Sequence, residues 1–187
     1  MFRIFVVIYA MSCAMAAFAA DTVLKLYRPF AETETHAPLT IQSKRSGHCL
    51  QQSERIKRED AWRCVGEDHL IHDPCFSKRF GSDRLVICPL SPWLRNSIQL
   101  TLDSPLDASQ QVPLDISRTL PWAIELKSGE RCLSVDSKQM IDGLLVRYYC
   151  RVGVVLVGDI HRCKPVWTTL KHDSSGISMV EIESAWF

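Results

Sequence analysis

The sequence predicts a mainly β protein, or an α+β protein with one short helix, made of two pseudo-repeated strand-turn-strand halves that disulfides hold together. Three observations lead to this fold class. Most apolar stretches are short and rich in β-branched or aromatic residues, which is typical of strands. Seven cysteines follow an apolar leader, as in disulfide-stabilised exported domains. A pattern of cysteine, glycine and aspartate recurs in the same order in both halves of the chain.

The first 19 residues are predicted to be a cleaved export signal. Arg3 precedes an almost wholly apolar stretch from Ile4 to Phe18, and Ala17 and Ala19 place small side chains at the −3 and −1 positions of a cleavage site. An uncleaved anchor is one alternative, but the apolar run is at the short limit for a membrane span of about 20 residues. A lipoprotein attached through Cys13 is another, but the apolar stretch continues past that cysteine. We therefore expect a periplasmic or secreted protein with no stable membrane span after processing.

The charge balance argues against a nucleic-acid partner. The chain has 22 basic and 21 acidic residues, and removal of Arg3 brings the two into balance. A protein that binds nucleic acid needs a basic surface to contact the phosphates. The one basic run, residues 55–58, is followed at once by Glu59 and Asp60, which favours a solvated surface of mixed charge.

The chain after the signal is predicted to form one duplicated domain over residues 39–187. Residues 20–38 carry no periodicity and are expected to be a loosely ordered lead-in. Residues 39–41 predict a short strand. Residues 53–65 predict one short helix, with Ser53 as its N-cap and Ile56 and Trp62 towards the core.

Strand patterns dominate the rest of the chain. Residues 98–102 alternate strictly between apolar and polar side chains, as a half-buried strand does. Further strands are predicted at 85–87, 122–126, 144–150, 154–157, 166–170 and 177–186. The polar, proline-interrupted stretch at 104–120 is predicted to connect two halves, about 39–103 and 121–187.

The two halves share a partial repeat. Residues 46–50 (SGHCL) recur as residues 128–133 (SGERCL), with one residue inserted. A second cysteine follows the first after 15 residues in one half (Cys64) and after 18 in the other (Cys150). Each second cysteine leads through a glycine to an aspartate nine positions later, and then to a Pro-Trp or Pro-x-Trp unit. Four coincidences in one order suggest duplication of a unit of two strands and a turn.

The repeat also predicts a disulfide pairing. If the halves are copies, equivalent cysteines should pair equivalently, which favours Cys49–Cys64 and Cys132–Cys150 and leaves Cys75 beside Cys88. Cys163 then remains as a free or intermolecular thiol, and its neighbours Arg162 and Lys164 favour the thiolate and hence a Cys163-linked dimer. The alternative is that Cys163 is buried, or bonded to Cys75 or Cys88.

The chain resembles a group of small exported bacterial proteins of unknown function. The resemblance covers residues 46 to 187 and rests on DAWRC at 60–64, DPCF at 73–76, Cys88-Pro89, PWAIEL at 121–126, Arg131-Cys132, Tyr149-Cys150, Gly158-Asp159 with Arg162, and Trp167-Thr168. A serine or another small residue is more usual in that group at the position of Cys163, which supports treating Cys163 as the extra cysteine. The resemblance implies no activity, ligand or catalytic residue.

Three residues are candidates for catalysis. Asp73 and Asp159 hold equivalent positions in the repeat, and packing about a pseudo-twofold axis would let the two carboxylates divide acid and base roles. The alternative is that each aspartate orders its own turn. His161 lies two residues from Cys163 and could activate that thiol as a nucleophile.

The sequence gives less support for a metal site or for an aromatic ligand-binding surface than for the catalytic candidates. Residues 67–73 are dense in ligand-type side chains, but in a strand His69 and His72 would face opposite sides, so we expect a polar loop and neither a metal nor a cofactor. Five tryptophans could form a platform for a sugar or peptide, although tryptophan is more often part of the core. Trp93 is the one most expected at the surface.

These observations favour an exported binding module for an envelope or extracellular ligand. The alternatives are a small secreted hydrolase that uses Asp73 and Asp159, and a host-directed secreted factor. Motifs for a serine nucleophile, a zinc protease or a phosphate-binding loop are missing from the sequence.

Overall fold

The computed structural model describes residues 20–30, 39–78 and 83–187, so the predicted export signal and residues 31–38 of the lead-in lie outside it. Within these ranges the chain is almost entirely β and has no α-helix, which confirms the mainly β prediction. The strands are β1 (Val23–Lys25), β2 (Thr40–Gln52), β3 (Ala61–Gly66), β4 (Ile71–Ser77), β5 (Leu85–Pro89), β6 (Asn96–Leu102), β7 (Ala123–Leu126), β8 (Arg131–Ser134), β9 (Met140–Ile141), β10 (Leu144–Arg151), β11 (Val154–His161), β12 (Thr168–Asp173) and β13 (Gly176–Trp186). One 3₁₀ turn covers Ala108–Gln110. No helix in the described part is long and apolar enough to cross a membrane.

Strands β2 to β6 form the first barrel, a five-stranded meander in which each strand pairs antiparallel with the next. An odd number of alternating strands leaves the first and last pointing the same way, so the barrel closes through a parallel pair, β2 with β6. The long β2 supports both pairings, because its first half lies along β6 and its second half along β3. Trp62, Val86, Leu100 and Leu102 fill the interior together with buried cysteines.

Strands β7, β8 and β10 to β13 form the second barrel. Its six strands alternate in direction, and the even number lets it close through an antiparallel β7–β13 pair. The short β9 lies outside this order and pairs with the start of β10. Asp142 and Gly143 join β9 to β10, and both have the positive φ that a type I′ hairpin turn requires. Ile124, Tyr148 and Leu156 are among the buried interior residues.

Three disulfides each join neighbouring strands within one barrel. They are Cys49–Cys64 between β2 and β3, Cys75–Cys88 between β4 and β5, and Cys132–Cys150 between β8 and β10. These are the three pairs that the repeat predicts. Cys163 is free and exposed in the turn between β11 and β12. None of these three disulfides joins one barrel to the other, so the chain between β6 and β7 and non-covalent packing hold the two barrels together.

Five aromatic residues form a seam between the barrels. Phe76 of the first barrel and Trp122, just before β7, both contact Tyr27, with ring centroids 5.3 and 5.4 Å from that of the tyrosine. Trp93 packs edge-on against Trp186, with centroids 5.0 Å apart. Such tilted and edge-on pairs add to the stability that burial of the rings provides.

The tryptophans lie in the cores and not on an exposed platform. Trp62, Trp122 and Trp186 are buried, and Trp167 is half-buried. Trp93, which the sequence suggests for the surface, is half-buried in the aromatic seam because the connection between β5 and β6 faces the second barrel. Trp93 and Trp167 are also not equivalent in the repeat, since Trp93 precedes β6 whereas Trp167 precedes β12.

The described part of the lead-in is ordered, contrary to the expectation. β1 pairs parallel with the end of β13, beyond the part of β13 that pairs with β12. Thr22 is buried, and its hydroxyl donates to the Ile182 carbonyl and accepts from the Trp167 amide, at 2.7 and 2.8 Å. A three-residue strand has too few residues to show a periodicity, so tertiary contacts order a segment whose local pattern is weak.

The short helix predicted over residues 53–65 is wrong. Ser53 does act as a cap, because its hydroxyl accepts from the amides of Arg55 and Ile56 at 3.2 and 3.1 Å, but it caps a turn. The chain enters β3 at Ala61. Cys64 lies opposite Cys49 in the β2–β3 ladder, so cross-strand pairing and the disulfide keep this segment extended.

The glycines of the repeated motif serve different purposes in the two halves. Gly47 lies within β2 opposite Gly66, and a Cβ atom there would meet the Val65 carbonyl oxygen. Gly129 has open space around it but adopts a φ of +84° in the turn between β7 and β8. The similarity of the halves therefore lies in the disulfide hairpins and does not extend to every motif residue.

Candidate functional site

Asp73 is tied into the first barrel by hydrogen bonds. Its side chain is only 4% exposed. One carboxylate oxygen accepts from the Ser53 hydroxyl, and the other accepts from the Glu54 amide at 3.0 Å, with Arg63 at 3.5 Å. These contacts connect β4 to the turn that Ser53 caps. The aspartate thus stabilises a turn about twenty residues away in the sequence, and not a turn of its own as the sequence suggests.

Asp159 lies in a different environment. Its side chain is 81% exposed on β11 and contacts Arg147 at 3.3 Å. The two aspartates share no hydrogen-bonding partner, and each makes its contacts within its own barrel. His161 and Cys163 are both exposed near the end of β11. The structure therefore does not bring Asp73 and Asp159 to a common partner.

The histidine- and acid-rich stretch at 67–73 forms the turn into β4 and its first residues. Asp68 pairs with Arg45 of β2. Burial lowers the pKa of His72 from its usual value, and the positive charge of Arg45 lowers it further. His69 is exposed and has a φ of +61°. The described residues include no group of three or more His, Cys, Asp or Glu side chains that could hold a metal ion.

A groove of about 610 Å³ between the two barrels combines surfaces from distant parts of the chain. We call it the inter-barrel groove. Its first wall is the turn at residues 54–57, its second is the connection at 112–120, and its third comes from residues 134–137 and 145–148. The volume falls in the range of pockets that hold small ligands, roughly 300–1,000 Å³.

Hydrogen bonds fix the connection that forms the second wall. On the side of the first barrel, Gln52 donates to the Val112 carbonyl at 2.7 Å, and the Leu114 amide donates to Glu59 at 3.1 Å. On the side of the second barrel, Arg162 donates to the carbonyls of residues 116 and 119 at 2.7 and 2.9 Å. The connection is thus attached to both barrels, and these hydrogen bonds hold the second wall of the groove in place.

Basic side chains outnumber acidic ones in the groove, although Lys57 already donates to the Ser53 carbonyl at 3.0 Å. Four basic and three acidic residues line it: Arg55, Lys57, Arg118, Arg147, Glu54, Asp115 and Asp136. Glu54 already accepts from Gln51 at 2.6 Å and from Arg63 at 2.9 Å. Asp115 accepts from the amide and hydroxyl of Ser117, and these bonds hold the pKa of its carboxyl below its usual value.

Two buried donors in the groove have no hydrogen-bond partner among the described residues. They are the Ser134 hydroxyl and the Arg147 Nε group. Ser134 is 9% exposed, whereas the Arg147 side chain is 36% exposed although its Nε atom is buried. The neighbouring Tyr148 hydroxyl, in contrast, donates to the Pro121 carbonyl at 2.8 Å. Burial raises the pKa of that hydroxyl. Buried polar groups are rarely left unpaired in folded proteins, so these two donors set this wall apart from the rest of the groove's lining.

A second cavity of about 570 Å³ continues the groove. It shares Arg55, Val135 and Asp136 with the first cavity and reaches His72 and Asp73 on β4. Arg55 from the first barrel and Asp136 from the second therefore flank the passage between the two cavities. Asp73 borders the groove system, whereas Asp159 does not line either cavity.

One further cavity is of similar size but differs in construction. A cleft of about 620 Å³ is lined by Gln51, Gln52, Lys57 and the loop at 104–107, so its walls come from the first barrel and the connection alone. Its described lining has one buried polar atom without a partner, the acceptor Oε1 of Gln111, whereas the inter-barrel groove has two. The inter-barrel groove is therefore the stronger candidate for a site.

The residues of this groove are absent from the sequence-based candidates. Arg55 belongs to the basic run at 55–58 that suggests only a solvated surface, and Ser134 follows the repeated cysteine motif without a signal of its own. Only the packing of the two barrels brings these residues together. Comparison with protein families, with curated proteins and with solved structures finds no match to this chain.

Proposed function

We propose that this protein is an exported binding module that holds its ligand in the inter-barrel groove. The observation that carries the proposal is the groove itself, which three distant parts of the chain form and which hydrogen bonds to both barrels keep in place. A preformed site avoids the entropic cost of ordering loops when the ligand binds. The ligand would be an envelope or extracellular molecule, or a host molecule if the protein reaches a host.

Export is supported by the leader pattern and by the three disulfides. Disulfides persist in the periplasm and outside the cell but are rare in the reducing cytoplasm. We expect the intact mass of protein recovered from the periplasm or medium to begin at Ala20. Recovery of membrane-bound protein that still begins at Met1 would contradict this proposal.

The binding proposal can be tested with a variant that obstructs the groove. Val112 lines the groove and is 56% exposed, so Val112→Trp adds bulk there without disturbing a core. Val152→Trp is a matched control, because Val152 is 87% exposed in the β10–β11 turn and does not line the groove. The immobilised domain and both variants are incubated with envelope and host extracts, and retained molecules are identified by mass spectrometry.

The proposal predicts at least one molecule that the parent domain and Val152→Trp retain equally. Val112→Trp should retain it at least tenfold less, because the indole occupies part of the space that the ligand fills. Equal retention by all three proteins would place any binding outside the groove and contradict the proposal.

A further inference from the structure

We infer that the ligand of the inter-barrel groove carries an anionic group, a carboxylate or a phosphate, which Arg55, Arg118 and Arg147 bind. This inference rests on the proposed function, because it names the ligand class for the same groove. It predicts that the groove prefers anionic ligands, a preference that the shape of the groove alone does not predict.

Each wall of the groove contributes one arginine. Arg55 lies on the turn of the first barrel, Arg118 on the connection, and Arg147 on β10 of the second barrel. The planar guanidinium presents donors in a fixed fork that matches the oxygens of a carboxylate or phosphate. Three such groups around one space form an arrangement suited to an anion that lies between the barrels.

The protein's own acids offset these arginines only in part: the charge of Arg118 helps to lower the pKa of the Asp115 carboxyl, but the two side chains form no ion pair. Within the described residues, Arg55 has no hydrogen bond or ion pair from its side chain. Arg147 contacts Asp159 at 3.3 Å, but that aspartate is 81% exposed, and exposed pairs of this kind are weak. Of the groove's three acids, Glu54 and Asp115 are already engaged by neighbouring donors, which leaves Asp136.

The wall at Ser134 and Arg147 also favours a ligand that is rich in acceptor oxygens. The Ser134 hydroxyl and Arg147 Nε can each donate a hydrogen bond, and neither has an acceptor among the described residues. Both atoms have almost no accessible surface, so an anion in the groove meets the partly exposed side chain of Arg147 first and reaches these two atoms only if the wall shifts. A cationic ligand, in contrast, would be repelled by three arginines.

The test follows amide signals of the ¹⁵N-labelled mature domain by NMR at constant ionic strength. The probes are citrate for carboxylates, inorganic phosphate for phosphates, and glucose and putrescine as neutral and cationic comparisons. We expect saturable shifts at residues 112–120 and 134–137 with citrate or phosphate, and whichever anion saturates identifies the anionic group.

Three variants make the test specific. Arg55→Gln and Arg118→Gln each remove one groove cation, and Lys44→Gln removes the same charge from an exposed position on β2 outside the groove. We expect each arginine variant to weaken binding of the anion by about tenfold, the usual effect of losing a charge-assisted hydrogen bond. Lys44→Gln should bind as the parent does.

The inference is overturned if neither anion shifts the groove signals, or if both arginine variants bind the anion as tightly as the parent. Saturable binding of glucose or putrescine in the groove, in place of the anions, would overturn the ligand class while leaving the proposed function intact. Failure of the proposed function would show separately, as equal retention of extract molecules by the parent and Val112→Trp.

Discussion

Substitution of Arg58 should destabilise the protein more than substitution of any exposed arginine. The Arg58 side chain is 4% exposed and lies over the Phe76 ring, 4.6 Å from its centroid. Its guanidinium pairs with Asp60 through two donors and also donates to the carbonyls of Tyr27 and Phe187, at 2.7 and 2.8 Å. Arg58 thereby connects the first barrel, the lead-in and the end of the second barrel.

The expected loss for Arg58→Met is about 3 kcal/mol. Removing one partner of a buried ion pair costs roughly 3–5 kcal/mol, and the lower end applies because Asp60 is 24% exposed and keeps part of its hydration. The Phe187 carbonyl retains a bond from the Tyr27 amide at 2.7 Å, which also limits the loss. The net stability of a domain is about 5–15 kcal/mol, so the effect is easy to measure.

Urea unfolding of the oxidised domain, followed by tryptophan fluorescence, measures this free energy. Arg151→Met is the control, because Arg151 is 69% exposed and pairs with Glu130 at 3.3 Å, a contact worth about 0–1 kcal/mol. If Arg58→Met does not yield folded protein, Arg58→Lys keeps the charge but loses the fork and should show an intermediate loss. A change below about 1 kcal/mol in Arg58→Met, or one equal to that of Arg151→Met, would refute the reasoning.

Three further predictions follow from the disulfides, the aspartates and the free cysteine. Full reduction of the disulfides should unfold the protein, because the three closed loops of 13 to 18 residues together stabilise it by about 9 kcal/mol. Unfolding is measured as loss of the near-ultraviolet circular dichroism signal. A native spectrum after complete thiol titration would contradict this prediction. Asp73→Asn should lower the free energy of unfolding by about 1–3 kcal/mol, because the Asp73 side chain is buried and hydrogen-bonded. Asp159→Asn should change this free energy by less than about 0.5 kcal/mol, because Asp159 is exposed. Equal effects of the two variants in urea unfolding would count against the structural role of Asp73. A fraction of the purified protein should run as a reducible dimer on non-reducing gels, because Cys163 is free and exposed. Cys163→Ser should abolish that dimer without changing the stability of the fold. A native monomer with no reactive thiol would show that Cys163 is not the free cysteine.

The disulfides and most strands could be predicted because their signals are local. Cys49 and Cys64 are partners in one hairpin, and so are Cys132 and Cys150, so a repeat in the sequence maps directly onto neighbouring strands. Period-two alternation likewise marks a strand such as residues 98–102. The helix predicted from Ser53 failed because the same capping chemistry serves a turn as well as a helix.

The groove could not be predicted in the same way. Arg118 lies 63 positions after Arg55, and Ser134 lies 16 positions after Arg118; each has an ordinary local sequence. Their proximity depends on how two barrels pack through the aromatic seam and on how Arg162 and Gln52 fix the connection between them. The burial of Ser134 without a partner is likewise a property of the packed barrels, because its sequence neighbours give no sign of it.

The central claim is that the inter-barrel groove binds the ligand. Its most direct test is to compare amide hydrogen exchange with and without ligand. The mature domain is incubated with the small-molecule fraction of envelope or host extract, and amide exchange is measured by mass spectrometry of peptides. The account predicts slower exchange in peptides that cover residues 54–57, 112–120 and 134–137, and the same pattern in Val152→Trp but not in Val112→Trp. Protection confined to other surfaces, such as the exposed face around Tyr149 and Met179, would contradict it.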